Sequence, residues 1–198
     1  MNIIRKSIIF AIALILILIA LSPYINYTGV TTHLWGAEGT DYITDVDVDS
    51  RGNVIAVGIT SYANASYGGL FIVKFSKDGE LIWNRYFDPA DIGVELAWSL
   101  PKLAVDSHND IYVVITLTDG VETAPVILKL QSDGSLEWVK VFTYEGLNTY
   151  VSDIEISANN VVLCGWMSWE TAREGLAGDG YVLMLNSNGE AIYSTVFD

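Results

Sequence analysis

Asp45, Asp47 and Asp49 alternate within "DVDVDSRGN", as the acids do at the start of an EF-hand calcium loop. Ser50 stands where that loop needs glycine, and Ala56 where its bidentate glutamate would be. Asp49 has a second use, because Asp106 recurs just before the next turn, where an aspartate caps backbone N–H groups. Turn-capping and a solvated edge therefore compete with a metal site for these three residues. A second set is larger. Asp88, Asp91, Glu95, Trp98, Tyr144 and Trp169 fall in segments expected to form one rim of the fold, with Arg173 the only base among the rim acids. Acids beside exposed aromatics bind calcium, a cationic partner or sugar faces. The plainer alternative is polar loops whose aromatics fold back onto strand ends.

The remaining reactive residue types are sparse. His33 and His108 have no second metal ligand near them in sequence, so neither is assigned a metal or a general-base role. Cys164, the single cysteine, aligns with Val57 and Val114 and is expected in the core. No G-x-S-x-G elbow, glycine-rich phosphate loop or H-E-x-x-H pair occurs. A catalytic residue is therefore not assigned, and no cofactor is implied beyond calcium.

The elements that would position these residues repeat. "GELIWNRYF", "GSLEWVKVF" and "GEAIYSTVF" place Trp83, Trp138 and Tyr193 at intervals of 55 residues, with Phe87, Phe142 and Phe197 in step. Asp78-Gly79, Asp133-Gly134 and Asn188-Gly189 precede them and supply the positive φ of a tight hairpin. Upstream, "VDVDSRGNVIAVG", "LAVDSHNDIYVVI" and "IEISANNVVLCG" each give an apolar strand, a polar turn and a β-branched strand. Each repeat thus holds four strands, in the first near 43–49, 53–60, 69–76 and 81–87. The expected fold is all-β: three consecutive four-stranded antiparallel propeller-type blades, about 42–87, 97–142 and 150–197, forming an incomplete β-propeller.

The order "D-x-x-V-D-x-x-G-N-V-x-x-x-G" followed by "I-V-K-F-x-x-D-G-x-L-x-W" resembles the SBBP family of bacterial and archaeal β-propeller repeats, over residues 42 to 198. "GDGYVLMLNSNGEAIYSTVF" in the third copy is similar to that family's ending. The middle copy departs most, with Ile115 where Gly58 and Gly165 stand and "ETAPVILKL" opening its third strand. "DGELIW" is also similar to quinoprotein blade endings, but no residue here selects that cofactor.

Arg5 and Lys6 precede an apolar run from Ile8 to Leu21, which reads as an N-terminal hydrophobic helix at 1–22, a signal peptide or a membrane anchor. Fourteen helical residues span about 21 Å, short of a hydrocarbon core of roughly 30 Å. The basic pair keeps that end cytoplasmic and sends the rest outside, secreted or membrane-anchored. A linker covers 23–41, in which Leu34 and Trp35 align with Ile82 and Trp83 as a spare outer strand. Asn26-Tyr27-Thr28 and Asn64-Ala65-Ser66 match the glycosylation acceptor pattern. Without Arg5 and Lys6 the ten basic residues fall to eight against 24 acids, a formal −16 that repels nucleic acid and anionic headgroups.

Strands that stay apolar on both faces expect a neighbouring sheet on each side. An open arc would bare one face at each end, and such patches imply a protein partner or a homo-oligomer through blade faces. Asp47 and Glu155, where the middle repeat has Ala104, read as a partial adaptation of those ends to water. The leading expectation is a non-enzymatic extracellular scaffold or binding module. An extracellular hydrolase or lyase using rim acids is the alternative.

Overall fold

The computed structural model describes residues 40–61, 68–88, 95–96, 100–144, 147–169 and 178–197, all within one compact unit, His33–Asp198. The expected N-terminal helix, most of the linker, and the spare strand at Leu34 and Trp35 lie outside the described residues. The described residues form thirteen strands in three consecutive antiparallel sheets, with no helix among them.

The first sheet runs β1 (Thr40–Val48), β2 (Val54–Ser61), β3 (Gly69–Phe75), β4 (Leu81–Phe87). The second contains β5 (Glu95–Leu96), β6 (Lys102–Val105), β7 (Ile111–Thr118), β8 (Thr123–Leu130) and β9 (Leu136–Val141). The third is β10 (Leu147–Ser157), β11 (Asn160–Trp169), β12 (Gly178–Leu185), β13 (Ala191–Phe197). In the first and third, and from β6 onward in the second, chain neighbours are sheet neighbours, joined as antiparallel pairs. Gly79, Gly134 and Gly189 sit at φ 88°, 80° and 75°, the left-handed geometry that the three glycine turns demanded.

Twelve strands were expected; the thirteenth arises because the inner strand of the second sheet is in two pieces. Both β5 and β6 pair with β7. The inner strands of the outer sheets break register at one point each, between Ile43 and Asp45 and between Val151 and Asp153. Pro101 holds the matching place, just before Lys102, which pairs with Val114 as Asp45 pairs with Val57. Proline has no N–H to give a ladder, so it is confined to interruptions and edges.

This break also accounts for Ile115. A Cβ at Gly58 would meet the Tyr42 carbonyl oxygen and the Phe71 ring, and one at Gly165 would meet the Tyr150 carbonyl oxygen and the Tyr181 ring. Bulged inner strand and overlying aromatic together leave no room for a side chain. In the second sheet Ile115 pairs with Val126 instead of an aromatic, and lies past the interruption in the inner strand.

Two apolar layers hold the sheets face to face. Ile55, Val57, Leu70 and Ile72 meet Leu103, Val113, Ile115 and Leu128, with Trp83 and Phe87 at the margin. Tyr112, Val114 and Ile127, from the other side of the second sheet, meet Val151, Ile154, Leu163 and Leu185. Ile111 to Ile115 are all buried, since both faces of β7 are covered. The end sheets differ. On the far side of the first, Ala56, Phe71 and Val73 are buried, while on the far side of the third, Asp153, Glu155, Cys164, Tyr193 and Phe197 are exposed. Of the two bare faces expected, the third sheet has one.

Candidate functional site

The densest polar chemistry lies where one sheet meets the next. Asp45 and Asp47 stand two apart on β1, which puts both on one face of the strand, the face turned to the second sheet. Asp45 Oδ2 accepts the Leu103 N–H at 3.0 Å and Asp47 Oδ2 accepts that of Val105 at 2.8 Å. Their Oδ1 atoms accept the N–H groups of Val46 and Val48 in their own strand, at 3.0 and 2.7 Å. The Thr44 hydroxyl donates to the Pro101 carbonyl at 2.8 Å. Asp47 is thus part of a junction and not of a free end; Glu155 is on the open face.

Asp49 serves its own sheet. Its carboxylate accepts the N–H groups of Arg51 and Asn53, both at 2.9 Å, and the Asn53 amide at 2.8 Å. Lys74 Nζ completes the group at 2.9 Å, and both side chains are buried. Lys74 also donates to the Ser132 carbonyl of the second sheet at 3.1 Å. Burial works against the Asp49 anion, but Lys74, Asn53 and the turn N–H groups overcome it and hold the carboxyl well below the usual range. A calcium shell takes six to eight oxygens. The oxygens of these three residues are directed at N–H donors, and among the described residues no group of three His, Cys, Asp or Glu is placed to hold a metal ion.

The second sheet repeats the theme with different partners. Asp106 accepts the N–H groups of His108 and Asp110. Lys129 Nζ lies 3.1 Å from Asp110 and 3.0 Å from Glu137, and 5.7 Å from the Tyr112 ring centre. Burial opposes the Lys129 charge, yet Glu137 and Asp110 prevail and its pKa ends above the ordinary lysine value. Burial is also the main cause that pushes Tyr112 up to about 12. An ionised Asp49, a charged Lys129 and a neutral Tyr112 are all locked far from neutrality, where a proton-transfer group needs to be poised. In the third sheet Met184 and Ser157 take the places of Lys74 and Asp49.

A second device recurs at both junctions. Trp83 Nε1 donates to the Ser132 carbonyl at 3.2 Å, and Trp138 Nε1 to the Ser187 carbonyl at 3.3 Å. A Cβ on Gly134 would fall 2.9 Å from the Trp83 indole, and one on Gly189 would fall 3.1 Å from that of Trp138. The turns at Gly134 and Gly189 are therefore each tucked under the tryptophan of the sheet before. Arg85 adds bonds to the Gly134 and Asp133 carbonyls at 2.8 and 3.1 Å.

The two rim residues whose side chains are described, Asp88 and Tyr144, border different grooves. Asp88 follows β4 and borders a groove of about 330 Å³ between the first two sheets, lined by Leu70, Tyr86, Phe87, Ile115, Leu128 and Val139. Tyr144 is exposed and borders a separate groove of about 140 Å³ between the second and third, with Phe142, Met167 and Tyr181. Asp91, Trp98 and the side chains of Glu95 and Trp169 lie outside the described residues, as does His33. His108 is exposed, with Nδ1 3.9 Å from Asp106.

Two residues stand otherwise than the sequence suggests. Cys164, expected in the core like Val57 and Val114, is exposed, because its face of the sheet is the one that the first two repeats cover with a successor. Burial and the nearby Asp153 push its thiol up. Tyr181 was not singled out, yet its ring is buried and its hydroxyl has no hydrogen-bond partner among the described residues. Its only sequence signal is its pairing with Gly165, as Phe71 pairs with Gly58.

No family model matches the chain, and no curated protein matches it. Among solved structures it is similar to the GH43 endo-arabinanase from Bacillus licheniformis, at a TM-score of 0.40 and 8% identity. That similarity covers 78% of this chain and 58% of the arabinanase, and a likeness so distant carries no activity across.

Proposed function

We propose that this chain is a binding or scaffold module, exported or membrane-anchored with its sheets outside, and that its three sheets are propeller-type blades of the SBBP kind. The observation that carries the reading is the apolar character of the outer strands. Leu81, Ile82 and Tyr86 on β4, Leu136, Val139 and Val141 on β9, and Ile192, Val196 and Phe197 on β13 are all exposed. Tyr86, Leu136 and Val139 border the groove between the first two sheets and Val196 that between the second and third, while Val139 and Val141 also line a groove of about 230 Å³ on the second sheet with Leu117, Ala124 and Val126. An acidic chain with apolar edges arranged in this way favours a protein surface as partner over nucleic acid.

Two measurements test it. A photo-crosslinking residue in place of Val139 is expected to give discrete protein adducts in the cells that make the chain, and one in place of Lys77, in a polar turn, is not. Equal adduct patterns at both positions count against the module. For export, Lys77→Cys in a Cys164→Ser background is expected to react with a membrane-impermeant maleimide in intact cells. Labelling only after lysis would place the sheets inside and end that part of the reading.

A further inference from the structure

The third sheet carries, on its open face, the parts with which the first sheet holds the second. Asp153 and Glu155 pair with Cys164 and Val162, as Asp45 and Asp47 pair with Val57 and Ile55, and both pairs follow a register break. In the first sheet the two carboxylates cross to the N–H groups of Leu103 and Val105. In the third they are exposed. Tyr193 and Phe197, 53% and 58% exposed, occupy the places of Trp83 and Phe87, which pack into a junction. Met184 replaces Lys74, an apolar choice for a face that water alone would cover.

The other end offers what this face lacks. Val46 and Val48 on β1 are more than half exposed, whereas Leu103, which matches Val46 in the second sheet, is buried. Their N–H groups are held by the carboxylates of the residues just before them. The corresponding N–H groups of Leu103 and Val105 are held by carboxylates from the preceding sheet. Ala56, Phe71 and Val73 in the middle of that side are already buried, which leaves open its inner strand and, at the other edge, Tyr86.

We propose that a second copy of this chain docks its β1 on the third sheet, with Asp153 and Glu155 accepting the N–H groups of Val46 and Val48 of that copy. The contact repeats, at the inner strands alone, the carboxylate-to-N–H pairs seen between the first two sheets. It is head to tail, and the assembly proposed is the ring of two, in which both ends of each copy are satisfied. Pairing third sheet with third sheet would instead bring four carboxylates of an acidic chain together. The inference rests on the module reading and names the partner of one of its faces.

The full chain in mild detergent decides it. Light scattering is expected to give twice the chain mass of 21.7 kDa. Asp153→Lys with Glu155→Lys removes the acceptors at exposed positions and is expected to give monomer. Val46→Asp with Val48→Asp is expected to give monomer as well. In that monomer, which leaves Asp153 in place, Cys164 should react with a thiol reagent about tenfold faster or more, the change expected for a contact weakened by one decade or beyond. Mixing the two variants should restore a heterodimer through the one intact head and tail, which also shows that both are folded. A wild type that stays monomeric at high concentration overturns the pairing, as does a dimer indifferent to both variants. An efficient Cys164–Cys164 disulfide on mild oxidation also overturns it, because only paired third sheets bring those sulfurs together. If the wild type is monomeric while Val139 still gives its adducts, this pairing falls and the module stands.

Discussion

Lys74→Met tests the account of the buried ion pair, since methionine is what the third repeat carries there. The Lys74 and Asp49 side chains are 5% and 1% exposed, so the substitution strands a carboxylate in the interior. Removing one partner of a buried pair costs about 3 to 5 kcal/mol. Asp49 keeps its bonds from Arg51 and Asn53, which favours the lower figure of about 3 kcal/mol. Losing the bond to the Ser132 carbonyl adds about 1 kcal/mol. With a urea slope of about 2 kcal/mol per molar, the unfolding midpoint should drop by roughly 2 M. Asp49→Ser combined with Lys74→Met reproduces the pair found in the third sheet as Ser157 and Met184, and should recover about 2 kcal/mol of the loss through coupling. Urea titration of the purified full chain, followed by tryptophan fluorescence, gives both values. A single substitution that costs under about 1 kcal/mol, or a double that costs the sum of the two singles, refutes the reasoning.

Gly58→Ala should destabilise by about 2 kcal/mol or more through overpacking against the Tyr42 carbonyl and Phe71, while Gly180→Ala, whose new Cβ would meet nothing closer than 3.9 Å, should be nearly neutral in the same titration. Trp83→Phe and Trp138→Phe each remove one bond to the next sheet and should cost about 1 kcal/mol apart from lost packing, additively because the two junctions share no partner. Asp49 is depressed in the folded chain, so its contribution is complete above the ordinary aspartate range of about 4 and is lost as pH falls through that range toward the folded value. Lys129 is raised, so its contribution is complete below about pH 10 and is lost as pH rises through its folded value. Thermal melts across pH should show both flanks in the wild type, and Asp49→Ser should flatten the acid one.

The quartets of strands were legible because the glycine turns and the apolar runs are local signals, and Gly79, Gly134 and Gly189 took the predicted geometry. The split inner strand of the second sheet was not, although "SLPKL" carries its cause in Pro101. A proline demotes a strand locally, but whether the ladder resumes depends on β7, which pairs from further along the chain. The partners of Asp45 and Asp47 were out of reach for a similar reason. Alternation shows that both side chains share one face, and says nothing of the strand 58 residues away whose N–H groups lie opposite. Cys164 misled because alignment with Val57 and Val114 reports the place in the repeat, whereas burial depends on whether a neighbour follows. Of the rim, the sequence grouped Asp88 and Tyr144 as loop residues, and which groove each borders depends on the packing of successive sheets, which no local signal carries.

The placement of the turns at Gly134 and Gly189 beneath the tryptophan of the previous sheet means that the unit which is copied and the unit which is stabilised are out of phase. A gene duplication copies a sheet, but the tryptophan, the arginine and the turn that lock together belong to two successive copies, 49 residues apart. Removing the second repeat whole would still bring the Trp83 indole to a glycine turn, that of Gly189, whereas the third sheet offers Tyr193 in place of an indole to any successor. The tryptophan lock therefore survives a change of repeat number by whole steps only where the preceding sheet supplies the indole, and a break within a repeat removes one half of a lock.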